Sequence, residues 1–79
     1  MPLQFEASTV HFQDECMVEE ALSLVEFLRT REGVRIDMKD CAYIHTAVLQ
    51  VLAAAAPREI VLPESSETGR WVSAVLGAR

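Results

Sequence analysis

The stretch Val34–Ala56, VRIDMKDCAYIHTAVLQVLAAAA, decides the fold, because the spacing of its apolar residues changes partway along. From Val34 to Lys39, apolar and charged residues alternate, and this period of two predicts a β-strand with one buried face. The next residues, Lys39–Cys41, predict a short polar loop. The stretch therefore begins as a strand that leads into a loop.

Helical spacing follows the loop. Ala42–Ile44 returns to the core, and from Ile44 to Ala55 the apolar residues recur every three or four positions. The helix begins near His45-Thr46. It ends before Pro57, because the residue that precedes a proline avoids helical backbone angles.

The N-terminal third predicts strand and then helix. Leu3–Ala7 and Val10–Phe12 predict one strand or two short ones forming a hairpin. An amphipathic helix is predicted over Glu15–Thr30, with Asp14 as its N-cap and Gly33 as its stop. Its inward stripe contains Val18, Ala21, Leu22, Val25 and Leu28, widened by Met17, Leu24 and Phe27.

The C-terminal third predicts one more strand and one more helix. Glu59–Leu62 is short and apolar, and Pro63 ends it. Glu64–Glu67 then supplies capping residues for a helix that runs to about Leu76, with Gly77 as its stop. The residues predicted to face inward are Trp71, Val72, Val75 and Leu76.

These elements predict a single α/β domain over residues 1–79. Alternating strands and helices favour crossover connections, and hence a small, mainly parallel (mixed) β-sheet with the order β(β)αβαβα. A parallel strand covered on both faces is apolar throughout, whereas Arg35, Asp37 and Lys39 point away from the core. We therefore expect the helices to pack mainly on one face. The other face is left open to water, to a partner or to a second copy of the chain.

The amino-acid composition limits the classes of partner that the protein is expected to bind. The 79 residues are 51% hydrophobic and carry a net charge of −5, with a pI near 4.8. Nucleic acids and anionic membranes both attract Lys/Arg clusters, so this acidic balance argues against either partner. No apolar run is long enough for a membrane helix and no signal peptide is evident, which predicts a cytoplasmic protein of bacterial type with Cys16 and Cys41 as free thiols.

The central stretch resembles the strand–loop–helix signature of STAS domains, the anti-sigma-factor antagonist fold. Val34–Asp37 matches the apolar strand with its Asp, Lys39–Cys41 the loop, and Tyr43-Ile44 the aromatic-Ile pair, while Leu49 matches the Leu of the following helix. Residues 67–77, ETGRWVSAVLG, are also similar to the family's helix ending in Leu-Gly. The chain resembles a short, divergent member over about residues 17–77.

The resemblance implies a non-enzymatic regulatory module that docks on a partner protein, often an anti-sigma kinase. Docking in the family is switched by phosphorylation of a hydroxyl that falls on Thr46 here. Three positions depart from the signature: His45 replaces the acid, Ala47 the second hydroxyl and Val48 the glycine. These changes alter the surface that a kinase would recognise.

Individual residues leave alternatives open. Thr46 is either only the N-cap of its helix or also a phosphoacceptor and contact residue. His45 is either an ordinary loop histidine or a group with a catalytic or pH-sensing role. Cys41 in the loop, and Cys16 in the first turn of the first helix, are expected to be inert. Neither histidine has metal-ligand spacing, so no metal and no cofactor are expected.

The predicted function is protein interaction in bacterial signalling or gene regulation. An alternative is a phosphorylation-independent STAS-like subunit of a lipid-transport ATPase complex, and a third is an enzyme or small-ligand binder that uses His45 and Cys41. The predicted docking residues are Asp37, Lys39, Asp40, Cys41, His45, Thr46 and Ala47.

Overall fold

A computed structural model describes residues 2–55 and 57–76. These residues form four strands and three α-helices, with a 3₁₀ turn at Val18–Glu20 ahead of the first α-helix. In chain order they are β1 Leu3–Phe5, β2 Thr9–Cys16, α1 Ala21–Arg29, β3 Arg35–Ile44, α2 Thr46–Ala55, β4 Glu59–Val61 and α3 Ser66–Leu76.

The strands form one mixed sheet in the order β1-β2-β3-β4. β1 pairs antiparallel with β2, and β2 pairs with β3, and β3 with β4, in parallel. The α/β class and the mainly parallel sheet are confirmed. The N-terminal segment consists of two strands, with Leu3 opposite Phe12 and Phe5 opposite Val10.

The three helices form a layer over one face of this sheet. Strand order follows chain order, so right-handed crossovers place α1 and α2 on the same side. α2 contacts both α1 and α3, and α3 also contacts β3. The side chains packed between helices and sheet include Phe12, Leu24, Ile36, Met38, Leu49, Leu52 and Val72, all fully buried. Burying each contributes about 1.5–3 kcal/mol.

β3 is longer than predicted, because Lys39–Cys41 is strand and not loop. β3 pairs with β2 along its whole length through two irregularities, which lie between His11 and Gln13 and between Asp14 and Glu15. At each one β3 carries an additional residue. The buried residues at this end of β3 are therefore three apart, at Met38, Cys41 and Ile44, and not two apart. That spacing does not resemble a regular strand in the sequence.

The start of α1 was also predicted wrongly. Asp14 does not cap a helix but lies in β2 with φ 56°, a left-handed conformation that Asp tolerates better than most residues. Cys16 is the buried last residue of β2, and α1 begins only at Ala21. The side chains of Met17, Val18 and Leu22, predicted to be core, are exposed.

The C-terminal elements agree closely with the prediction. β4 ends at Val61, one residue early, and α3 ends at Leu76. Val72 and Leu76 are buried and Trp71 is half-buried, but Val75 is exposed, which is a correction. Gly77 lies outside the described residues. Gly33 turns the chain after α1 with φ 64°, the left-handed conformation that glycine adopts without strain.

Candidate functional site

The candidate site is the corner at which β3 gives way to α2, and His45 shapes it. The backbone N–H of His45 donates to the carbonyl oxygen of Cys16 over 2.8 Å. The His45 carbonyl oxygen accepts the first helical hydrogen bonds, from Val48 N at 3.0 Å and Leu49 N at 3.2 Å. The ring atom Nδ1 accepts from the backbone N–H of Ala47 at 3.0 Å. His45 is therefore the N-cap of α2, and the prediction that Thr46 caps this helix is wrong.

Thr46 is instead the first helical residue, and its side chain is exposed. Within the described part of the chain, its hydroxyl has no hydrogen-bond partner. The residue stands at the carboxyl end of the parallel strands, where open α/β sheets commonly bind ligands. The positive end of the α2 dipole is also here, so a negative group on Thr46 would be tolerated by the fold.

Apolar surface adjoins this corner. The backbone carbonyl oxygen of Cys16 is hydrogen-bonded to the backbone N–H of His45. The side chains of Met17, Val18 and Leu22, which follow Cys16 in the sequence, are exposed. A shallow groove of about 430 Å³ also runs between α1 and α2, and we call it the α1–α2 groove. It is lined by Val25, Leu28, Arg29, Ala47, Gln50, Val51, Ala54 and Ala55. Because Ala47 directly follows Thr46, the groove begins at the corner.

The structure separates the seven predicted docking residues. His45, Thr46 and Ala47 meet at the corner. Asp37 lies in the first part of β3 on the open face of the sheet, where its Oδ1 accepts from the backbone N–H of Lys39 at 3.0 Å. Lys39 and Asp40 are exposed farther along the same strand.

Cys41 is excluded from any contact surface because it is only 2% exposed. Its Sγ donates to the carbonyl oxygen of Tyr43 at 3.3 Å, and burial raises the pKa of its thiol. Burial likewise raises the pKa of Cys16 to about 12, with neighbouring Cys41 and Glu20 adding to the effect. Both thiols are free and protonated at neutral pH, which agrees with the inert role predicted for them.

Two side-chain clusters were not predicted from the sequence. On the open sheet face, His11 Nδ1 lies 3.2 Å from Asp37 Oδ2, and His11 Nε2 lies 3.3 Å from Glu6 Oε1. Near the start of α3, the rings of Tyr43 and Trp71 lie with their centroids 6.0 Å apart. Alternation places His11 and Asp37 on one face of their strands, but only the pairing of β2 with β3 makes them neighbours.

Over residues 2–55 and 57–76, no three His, Cys, Asp or Glu side chains are grouped so as to hold a metal ion. Within the same residues, no helix has the length and apolarity to cross a bilayer. The class that fold and site define is a small α/β domain with a four-stranded mixed sheet, helices on one face and an exposed helix-start corner. Neither the protein-family models nor the curated proteins compared with the sequence give a match.

Proposed function

We propose that this protein is a non-enzymatic interaction module. A partner protein docks on the corner between β3 and α2, where Thr46 is exposed, and along the α1–α2 groove. The resemblance to STAS domains implies docking at the same signature position. The observation that carries the proposal is that Thr46 is exposed at the start of the α1–α2 groove, whose lining includes the next residue, Ala47. Met17, Val18 and Leu22 are also exposed, and they follow Cys16, whose backbone is hydrogen-bonded to His45. Exposed apolar patches of this kind are typical of protein-binding surfaces.

The shape and charge of the groove favour an amphipathic helix of the partner as its occupant. Small residues, Ala47, Ala54 and Ala55, line part of the groove and allow the close approach of another backbone. Arg29 is the one charged residue among its described lining residues. A helix that places apolar side chains in the groove and an Asp or Glu opposite Arg29 would be complementary to it.

Phosphorylation of Thr46 would act as an off-switch for this docking. A phosphate adds about −1.5 to −2 charges at neutral pH, and the N-terminus of α2 accommodates that charge without loss of the fold. An apolar or acidic partner surface approaching the corner would be repelled. Thr46→Glu should therefore weaken partner binding while leaving the thermal unfolding midpoint nearly unchanged.

Affinity capture from the native cell tests the proposal, with wild type, Thr46→Ala, Thr46→Glu and Gln50→Arg in parallel. Gln50 is an exposed lining residue of the groove, so arginine there should abolish capture of the partner. Gln4→Arg is the matched control, because Gln4 is exposed on the open sheet face opposite His11. Capture that survives Gln50→Arg and is lost with Gln4→Arg would refute docking at this site.

A phosphorylation-independent subunit of a lipid-transport ATPase complex is the second candidate. It is favoured by the altered corner, in which Ala47 stands in place of the signature's second hydroxyl and the His45 ring supplies the cap. Such a subunit would use the same surface, and a transport ATPase would be the captured protein. A kinase among the captured proteins, released by Thr46→Glu, would instead identify the regulatory module.

A further inference from the structure

A second surface feature lies between the end of β3 and the first turns of α3. The rings of Tyr43 and Trp71 lie 6.0 Å apart with an interplanar angle of 38°. They border a concavity of about 370 Å³ whose other lining residues are Ala42, Glu67 and Thr68. We propose that this concavity binds the guanidinium group of an arginine side chain presented by a peptide segment.

The walls of the concavity are held in place by the fold. The hydroxyl of Thr68, a residue only 8% exposed, donates to the carbonyl oxygen of Ala42 at 2.7 Å and so ties α3 to β3. Glu67 and Trp71 are four residues apart in α3 and therefore lie on the same side of that helix. Tyr43 remains 40% exposed, so its ring is accessible from solvent. The site is preorganised and open.

The chemistry of the lining selects a cation that can donate hydrogen bonds. The faces of the tyrosine and indole rings are negative and attract cations, and arginine is the commonest partner in such contacts. The Glu67 carboxylate adds a hydrogen-bond acceptor, which a planar guanidinium can engage while it stacks on a ring. Within the described residues, no basic side chain forms an ion pair with Glu67, so its charge is free to act on a ligand. An anion would be repelled by the same carboxylate.

Titration of the ¹⁵N-labelled protein with N-acetyl-arginine amide, followed at the indole N–H of Trp71, tests this assignment. N-acetyl-citrulline amide is the neutral control of nearly the same shape. We expect the arginine compound to bind at least about fivefold more tightly, in line with an exposed cation–π contact assisted by a carboxylate. Equal binding of the two compounds would overturn the assignment.

Matched variants isolate the two parts of the site. Glu67→Gln should remove most of the preference for arginine over citrulline, whereas Glu64→Gln, an exposed residue just before α3, should leave it intact. Tyr43→Phe should retain the preference and Tyr43→Leu should reduce it. Choline serves as a probe for a lipid headgroup, and choline binding as strong as that of arginine would overturn the choice of a peptide side chain. The inference does not depend on partner docking at α2: failure to bind arginine with partner capture intact removes this inference alone.

Discussion

At the scale of single residues, His45 shows that an imidazole ring can cap a helix. An aspartate at the start of a helix caps it through a carboxylate oxygen, and here the ring atom Nδ1 accepts the Ala47 N–H instead. Accepting this bond requires that Nδ1 carry no proton, so the neutral ring has its hydrogen on Nε2. The His45 ring thus performs the capping function that an aspartate commonly performs at a helix N-terminus.

Replacing His45 tests this role. His45→Ala should lower the free energy of unfolding by about 1 kcal/mol, the usual loss when a capping side chain is removed. His45→Asp should retain most of the wild-type stability, because a carboxylate oxygen can accept the same bond. Urea denaturation followed by circular dichroism measures both. Equal losses for the two variants would show that the ring is needed for packing and not for capping.

Ionisation of the buried Cys16 thiol should destabilise the folded protein at alkaline pH. Its pKa rises from an ordinary 9.0 to about 12 in the folded protein, chiefly because burial disfavours the thiolate. Because the pKa of this thiol is higher in the folded protein than in the unfolded chain, the protonated thiol contributes fully to the free energy of unfolding below pH 9.0. That contribution is lost progressively as the pH rises toward about 12. The urea midpoint should therefore fall as the pH rises from about 9 to 10.5, and fall less in Cys16→Ala. An identical fall in both proteins would contradict this explanation.

At the scale of elements, the late start of α1 shows that strand pairing in the sheet can outweigh the preference of local residues for a helix. Asp14 and Glu15 are typical of the first turn of a helix, yet they lie in β2, paired with Cys41 and Tyr43. Helix propensities differ by only about 0.7 kcal/mol among ordinary residues. Extending β2 satisfies backbone hydrogen bonds of two strands and buries Cys16 completely, which outweighs such preferences. The helix therefore starts at Ala21, and Met17, Val18 and Leu22, which lie on either side of that point in the sequence, are exposed.

Two leucines on α1 provide a matched test of this altered start. Leu24 is 0% exposed and Leu22 is 68% exposed, although they are two residues apart on one helix. Leu24→Ala should cost about 2–5 kcal/mol, because it leaves a cavity in the core. Leu22→Ala should change stability by less than about 0.5 kcal/mol. Similar losses in urea denaturation would mean that α1 presents a different face to the sheet.

At the scale of the whole molecule, the helix layer is completed by α3, which contacts both α2 and β3. The partly buried hydrogen bond from the Thr68 hydroxyl to the Ala42 carbonyl oxygen joins residues 26 positions apart. This bond fixes α3 against the end of β3, where Tyr43 meets Trp71. The C-terminal helix is thus an integral part of the fold and not an appendage.

A pair of threonine substitutions measures the contribution of this tie. Thr68→Val conserves the side-chain volume but removes the donor, and should lower the free energy of unfolding by about 1 kcal/mol. Thr46→Val, the same change at an exposed hydroxyl, should have an effect below about 0.5 kcal/mol. Chemical denaturation of both variants gives the comparison. Two equal and small effects would show that the Thr68 hydroxyl does not stabilise the docked helix.

Residue spacing alone determined the element order, the mainly parallel sheet, the helices on one face and the span of α2. These features depend on local patterns: alternation over Val34–Lys39 leaves Arg35 and Asp37 off the core, and helical spacing after Ile44 stops before Pro57. The exposure of Thr46 at the start of α2 was likewise predicted from the local sequence. Only its capping role was misassigned, because a histidine ring seldom serves as an N-cap.

Tertiary structure alone decided where β2 ends, how far β3 extends, that Cys41 is buried, and that Tyr43 meets Trp71 and His11 meets Asp37. Each of these depends on the pairing of β2 with β3 or the docking of α3, which join residues far apart in the chain. The physical reason is that a backbone segment adopts the conformation that satisfies its hydrogen bonds with distant neighbours. The identity of those neighbours is not encoded in the local spacing of apolar residues.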